Sequence, residues 1–229
     1  MVKTNVKLAL PLLLTFNGGY VDAAGFLALH GLFAAHVTGN LVTLGAATVF
    51  GIRGVVAKLL AIPVFGVTVL LARLASRRME ARGSYPLPTL LTTVVALLAT
   101  VSGLATAHGP YSNGDAWPTL MTGMILVTAM AVQNAAHRMY LAGVPPSTVV
   151  TGTTTQLMIA AADLLLAQPA EDTAGIHQSS RTMARAIGCF AIGAVAAAWL
   201  FSTVANWCFL APPTIVLFAR FAASDSRRS

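Results

Sequence analysis

The chain is 229 residues long, with 56% apolar residues, 9% charged residues and a mean hydropathy of +0.76. An ordinary soluble domain carries about 25% charged residues, so a soluble enzyme, a nucleic-acid-binding domain and a disordered tail are all excluded. The 14 basic residues outnumber the 7 acidic ones, and the fold class that remains is all-α: a polytopic transmembrane helix bundle.

The basic N-terminus, with Lys3 and Lys7, leads straight into an apolar run. No small-residue cleavage site closes a short signal-like core there, so this run reads as an uncleaved first span. Crossing a hydrocarbon layer about 30 Å thick takes about 20 apolar residues in helix. Six stretches qualify: Leu8–His30, Val55–Ala75, Leu87–Ala107, Thr119–Arg138, Met183–Phe201 and Val204–Phe221. Two more are marginal. Ala34–Phe50 has only 17 residues and carries Thr38, Gly39 and Asn40. Ser147–Ala167 carries Thr151, Gly152, Thr153, Thr154, Thr155 and Gln156. Polar backbone breaks of this kind suit membrane depth only where protein or a wet cavity surrounds them. Pro212 and Pro213 fall inside the last stretch and predict a kink there, and Pro63 predicts a milder bend in the second span.

Charge placement decides the topology. Arg73, Arg77, Arg78 and Arg82 form a basic cluster, whereas 109–116 holds one Asp and no Lys or Arg. With both marginal stretches re-entrant, the clusters at Lys3/Lys7, Arg73–Arg82, Arg138, Arg181/Arg185 and Arg220–Arg228 fall on one side, as the positive-inside rule requires. Only Arg53 is misplaced. The expectation is six spans plus two re-entrant segments with both termini cytoplasmic; eight spans with both termini outside is the alternative. In this placement the cations face the lipid bilayer and not a nucleic acid.

Two stretches resemble each other. Gly19–Ala24 precedes Thr38-Gly39-Asn40, and Val132–Ala136 precedes Thr151-Gly152-Thr153. Asp22 and Asn134 are 112 positions apart, as are Gly31 and Gly143, while Gly39 and Gly152 are 113 apart. One inserted residue near Pro145-Pro146 accounts for the difference. A repeat follows, with a first half at 8–107 and a second at 118–222. On the six-span topology the halves enter from opposite sides, giving an inverted repeat of the kind that recurs in transporters.

The run Gly19-Tyr20-Val21-Asp22-Ala23-Ala24-Gly25-Phe26, then Phe33 and Thr38-Gly39-Asn40, looks like the YoaK family of bacterial inner-membrane proteins. Gln133-Asn134-Ala135-Ala136 and Val150-Thr151-Gly152-Thr153 resemble that family's second signature. The matching blocks cover about half of the chain. The resemblance implies a small multi-span inner-membrane protein and assigns no activity. The prolines of the last span do not add to the match.

Asp22 carries the sharpest chemical signal. Of the seven acids, Glu80, Asp115, Glu171, Asp172 and Asp225 fall in loops or tail, and Asp163 lies near a segment end. An ionisable group inside a span marks a functional site by default. The competing reading is a carboxylate held by Arg138 or by backbone at a helix break. Asn17, Gln133 and Asn134 suit interhelical hydrogen bonds, and Arg138 shares a helical face with Asn134. His30 and His36 are six apart and form no metal-ligand spacing, and neither do Cys189 and Cys208. His108 and His177 read as loop residues. Trp117, Trp199 and Trp207 read as interfacial belt residues. Gly193 and Ala197 allow close helix approach, within the chain or between two copies in a homodimer. No nucleophile elbow, catalytic Cys/His pair or phosphate-cradling loop is present, so no catalytic residues, cofactor or metal are assigned.

The expectation is a secondary transporter of a small solute or ion. Its binding residues are Asp22, Thr38, Gly39, Asn40, Asn134, Thr151, Gly152 and Thr153, and Asp22 is its proton-coupling group. A channel on the same scaffold and a non-transporting scaffold or sensor are the alternatives.

Overall fold

The structure is a computed structural model that describes residues 2–50, 54–141, 144–146, 150–166 and 173–228. Arg53, Gly143, Ser147, Glu171 and Asp172, and the side chains of Lys3, Lys7, Asp225, Arg227 and Arg228, lie outside what is described.

Among the described residues the chain is helical throughout: α1 (Val2–Ala28), α2 (Gly39–Phe50), α3 (Val55–Ala81), α4 (Leu87–His108), α5 (Trp117–Tyr140), α6 (Val150–Leu166), α7 (Ala174–Val204), a 3-10 segment Ala205–Leu210, and α8 (Ala211–Arg228). Four stretches are long and apolar enough to cross a membrane: Val55–Ala81, Leu87–His108, Trp117–Tyr140 and Ala174–Phe221. The last of these breaks at Ala205, where φ is +48°. From there the chain turns through the 3-10 segment into α8, which packs on α1 and α4. Helix α1, 27 residues long, matches the spans in length. At 1.5 Å per residue, α2 with 12 residues reaches about 18 Å and falls short of a crossing.

The ends of the helices fix the path. At one end, here the far end, α1 finishes beside the start of α3. Lys58 Nζ donates to the His30 carbonyl at 2.7 Å. Asp115, from the α4–α5 loop, accepts from the N–H groups of Gly54 and Val56 at 3.1 and 3.0 Å. At the near end, Tyr140 at the finish of α5 donates to Glu80 at the finish of α3, and its ring meets that of Tyr85 at 5.5 Å. The chain therefore leaves α1 and enters α3 at the same end, and the α2 segment returns to the side it left. The second marginal segment does likewise, since the end of α5 and the start of α7 line one cavity with α6 between them. Among the described residues this path is the one that two returning segments give.

Three expectations change. The four arginines from Arg73 to Arg82 extend α3 by two turns and do not form a loop, apart from Arg82 at its cap. His177 belongs to the first turn of α7, which starts nine residues before the predicted span because Gln178, Ser179 and Arg181 are good enough helix residues outside lipid. Pro212 and Pro213 open α8 and do not interrupt it. In a first helical turn the missing N–H has no intrahelical partner to lose.

Packing pairs come in twos: α1 lies on α7 as α5 lies on α3, and α1 lies on α8 as α5 lies on α4. Helices α1 and α5 hold the centre, and their facing amides bond, Asn17 Nδ2 to Gln133 Oε1 at 2.8 Å. Without a hydrophobic drive inside lipid, helices associate through close packing of small residues. The α1–α7 crossing shows this. A Cβ on Gly19 would lie 2.1 Å from the Phe190 carbonyl oxygen, and one on Gly193 would lie 2.1 Å from that of Phe16. Gly193 thus serves a contact within the chain. Cys189 and Cys208 are free thiols.

Gly19→Ala and Gly193→Ala should each force the crossing apart, costing about 1–3 kcal/mol as overpacking does. Gly66→Ala, whose Cβ meets nothing within 4 Å, should be neutral or slightly stabilising. Thermal unfolding of the three purified variants in detergent checks the difference, and equal melting temperatures would refute the crossing.

Candidate functional site

The first break runs from Leu29 to Thr38, between α1 and α2. Its turn begins at His30 and Gly31, both with positive φ (+55° and +81°), which swings the chain back along α1. Such a stretch at membrane depth must find partners for its own amides. Asp22 supplies most of them. The Ala34 and Ala35 N–H groups donate to Oδ1 at 2.9 and 2.6 Å. The His36 N–H donates to Oδ2 at 3.1 Å, and His36 Nδ1 lies 2.6 Å from that same oxygen. A carboxylate can do this because its two oxygens accept from several donors at once. Of the two structural partners considered for Asp22, backbone at a helix break is the one present.

Asn40 holds the other half of the turn. Its Oδ1 accepts from the Phe33 N–H at 2.9 Å and its Nδ2 donates to the Phe33 carbonyl at 2.7 Å. Gly39 is required between them, since a Cβ there would come within 2.9 Å of the Phe33 ring. The amides of Gly39, Asn40 and Leu41 bond back to His36, Val37 and Thr38. The break thus closes on itself. The His36 ring, 28% exposed, fills the gap between Asp22 and Phe190 of α7.

The far end is tied further. Lys58 is 1% exposed, with its ammonium at the carbonyl end of α1, where a cation is favoured by the helix dipole. His30 Nε2 lies 3.0 Å from the Tyr111 carbonyl, and the Tyr111 hydroxyl is 2.7 Å from Thr122. Burial raises the Tyr111 phenol above its ordinary pKa. Lys58 and Asp115 were not singled out as site residues from sequence. The signal for Lys58 was its position, a lysine one turn inside a span.

The second break differs. Asn134 lies six residues before the end of α5, as Asp22 lies six before the end of α1, so the two stand about 9 Å in from opposite ends of the bundle. Thr151, Gly152 and Thr153 form the first turn of α6. Of these, Thr153 is buried and lines a cavity of about 830 Å³. Its wall also carries Arg138 from α5, Pro145 from the connecting segment, and Gln178 and Thr182 from α7. His137 pins that connecting segment through Nε2, 3.1 Å from the Val144 carbonyl. The eight residues expected at one central site thus divide into two sets, one at each break. No group of three or more His, Cys, Asp or Glu suited to a metal occurs among the described residues.

A helix bundle with two returning segments is thereby defined, and its family is known: residues 10–222 match the family described as protein of unknown function (DUF1275). The chain belongs to that family. No curated protein and no solved structure matches it.

Asp22→Ala leaves the buried N–H groups of Ala34 and Ala35 and the part-buried one of His36 without an acceptor, each buried one costing about 1–3 kcal/mol. The variant should melt far below the parent and be cut by protease between Leu29 and Thr38. Asp22→Asn keeps an oxygen for Ala34 and Ala35 but loses the acceptor for His36, and should melt between Asp22→Ala and the parent. Equal resistance of Asp22→Ala and the parent would show that the brace is dispensable.

Proposed function

We propose that this chain is a secondary transporter of a small solute, built on an inverted repeat of 8–107 and 118–222. It is not an enzyme. The observation that carries this reading is the unequal setting of the two breaks: the first is closed by Asp22, Asn40 and the far-end ties, while described residues on either side of the second line a cavity. Two halves of one plan, one shut and one open, are what alternating access requires at any moment. Asp22 and His36 form the proton-linked pair, since protonation of the carboxylate removes an acceptor that the closed break depends on. Thr38, Gly39 and Asn40 shape the first half of the path; Asn134, Thr151, Gly152 and Thr153 shape the second. The YoaK-like signatures support a bacterial inner membrane, with both termini cytoplasmic.

Flux into proteoliposomes tests the reading. Saturable uptake driven by a pH gradient is expected. Asp22→Asn should flatten its pH dependence, and Asn134→Ala should weaken solute affinity more than pH coupling. Large unsaturable flux would indicate a channel, and no flux with any solute a scaffold.

Orientation is tested separately, with the native cysteines removed. A cysteine at Asn113 should react with an impermeant reagent in intact cells, and one at Ser84 only after lysis. The reverse pattern would place the termini outside.

A further inference from the structure

We propose that the near end of α3 is a docking surface for anionic phospholipid headgroups, with Arg77, Arg78 and Arg82 as its phosphate-binding side chains. The helix runs past its apolar stretch and carries these guanidiniums into the layer where headgroups lie. The 21 residues from Val56 to Arg77 rise about 32 Å, close to the thickness of a hydrocarbon layer. Val56 is exposed at the far end of this wall, and Val67, Leu70, Leu71 and Leu74 are exposed along it. Leu70 and Leu71 stand seven residues before Arg77 and Arg78, two turns back on the same sides of the helix. Acyl chains laid along that wall bring a phosphate level with the two guanidiniums, whose forked donors suit its oxygens.

All three arginines are exposed, and the surface lies wholly within the continuous described stretch 54–141. The end of α3 is closed by backbone alone: the Arg82 and Ser84 amides donate to the Met79 carbonyl, and the Gly83 amide donates to that of Glu80. Glu80 is the sole acid in α3, α4 and α5. Its carboxylate accepts from the Tyr140 hydroxyl of α5 and lies 3.8 Å from Arg73, whose guanidinium also reaches Met139. Neither ion pair among the described residues engages Arg77, Arg78 or Arg82. Spacing sharpens the demand for an anion. Arg73 and Arg77, and Arg78 and Arg82, are like-charge pairs four apart, which weaken a helix until a counter-charge arrives. Tyr85 and Tyr140, whose rings meet at the finish of α3 and α5, are aromatic residues of the kind found at headgroup level. A soluble acidic partner would use the arginines but not the apolar wall that leads to them, whereas a lipid uses both.

The purified full chain in neutral detergent is titrated with phosphatidylglycerol and, separately, with phosphatidylcholine, and its melting temperature is followed. Saturable stabilisation by phosphatidylglycerol, weaker at high salt and absent with phosphatidylcholine, is expected. The double variant Arg77→Gln, Arg78→Gln should melt like the parent without lipid, since both side chains are exposed. It should bind phosphatidylglycerol roughly thirty-fold more weakly, the worth of two basic residues at an anionic surface. The double variant Arg181→Gln, Arg185→Gln removes the same charge from exposed positions of α7 and should leave the affinity unchanged. Equal losses in the two double variants would reveal a general charge effect and overturn the proposal, as would equal stabilisation by phosphatidylcholine. Glycerol phosphate and polyglutamate are titrated in the same way. Stabilisation by either, equal to that by phosphatidylglycerol and lost with Arg77 and Arg78, would give the surface to a soluble phosphate or to an acidic protein and overturn the lipid assignment.

Discussion

The fold turns on one carboxylate. A helix that stops inside a membrane protein leaves carbonyls behind it and amides ahead of it without partners, and lipid offers none. Asp22 meets that demand from within α1, one and a half turns before the helix ends. It accepts from three consecutive amides and an imidazole, being 4% exposed itself. A negative charge near a helix C-terminus opposes the dipole there. The opposition is offset by the amides it accepts and by the Lys58 ammonium on the His30 carbonyl. Once the turn is fixed, α2 begins in place, the chain reaches Gly54 at the end it left, and α3 starts under the cap that Asp115 provides.

That turn also constrains the centre. Helix α1 must lie close enough to α7 for His36 to sit between Asp22 and Phe190, and the glycines at 19 and 193 permit this approach. On its other face α1 meets α5, where Asn17 and Gln133 exchange a hydrogen bond and Gln133 also donates to the Leu14 carbonyl at 3.0 Å. The outer helices contribute large exposed side chains such as Leu70, Leu71, Val195 and Trp199. The gradient runs from small and polar at the middle to bulky and apolar outside, as expected where lipid is the solvent.

The spans were legible because about 20 apolar residues in a row admit one reading in a membrane protein. Charge placement led to the expectation of returning segments, because that path puts the basic clusters on one side. Asp22 was legible as the one acid well inside a span, but its partners were not: they are backbone amides, and a sequence does not show where a turn aims its N–H groups. Pro212 and Pro213 misled because the chain reverses before them, at Ala205, where an alanine takes the positive φ and Asn206 follows it. The near-end cavity was hidden for a different reason. Arg138, Thr153 and Gln178 are ordinary residues in isolation, and only the packing of three helix ends puts them on one wall.

The unequal ends follow from side chains on a shared plan. Where the first break has Asp22, the similar stretch has Asn134, and the replacement of one oxygen by an amide nitrogen removes an acceptor and adds a donor. An amide cannot gather three backbone N–H groups as a carboxylate does. The positions 112 and 113 after His36 hold Thr148 and Val149, so the imidazole has no counterpart either. The shared motif Ala-Ile-x-x-Phe at Ala61 and at Ala186 sets Lys58 against Met183, which removes the buried cation as well. The second break is held differently, by His137 Nε2 at 3.1 Å from the Val144 carbonyl, and the described residues beside it line a cavity. The charge that closes the first break is therefore also what makes the two ends differ: a carboxylate gathers backbone amides at one end, and an imidazole holds a carbonyl at the other.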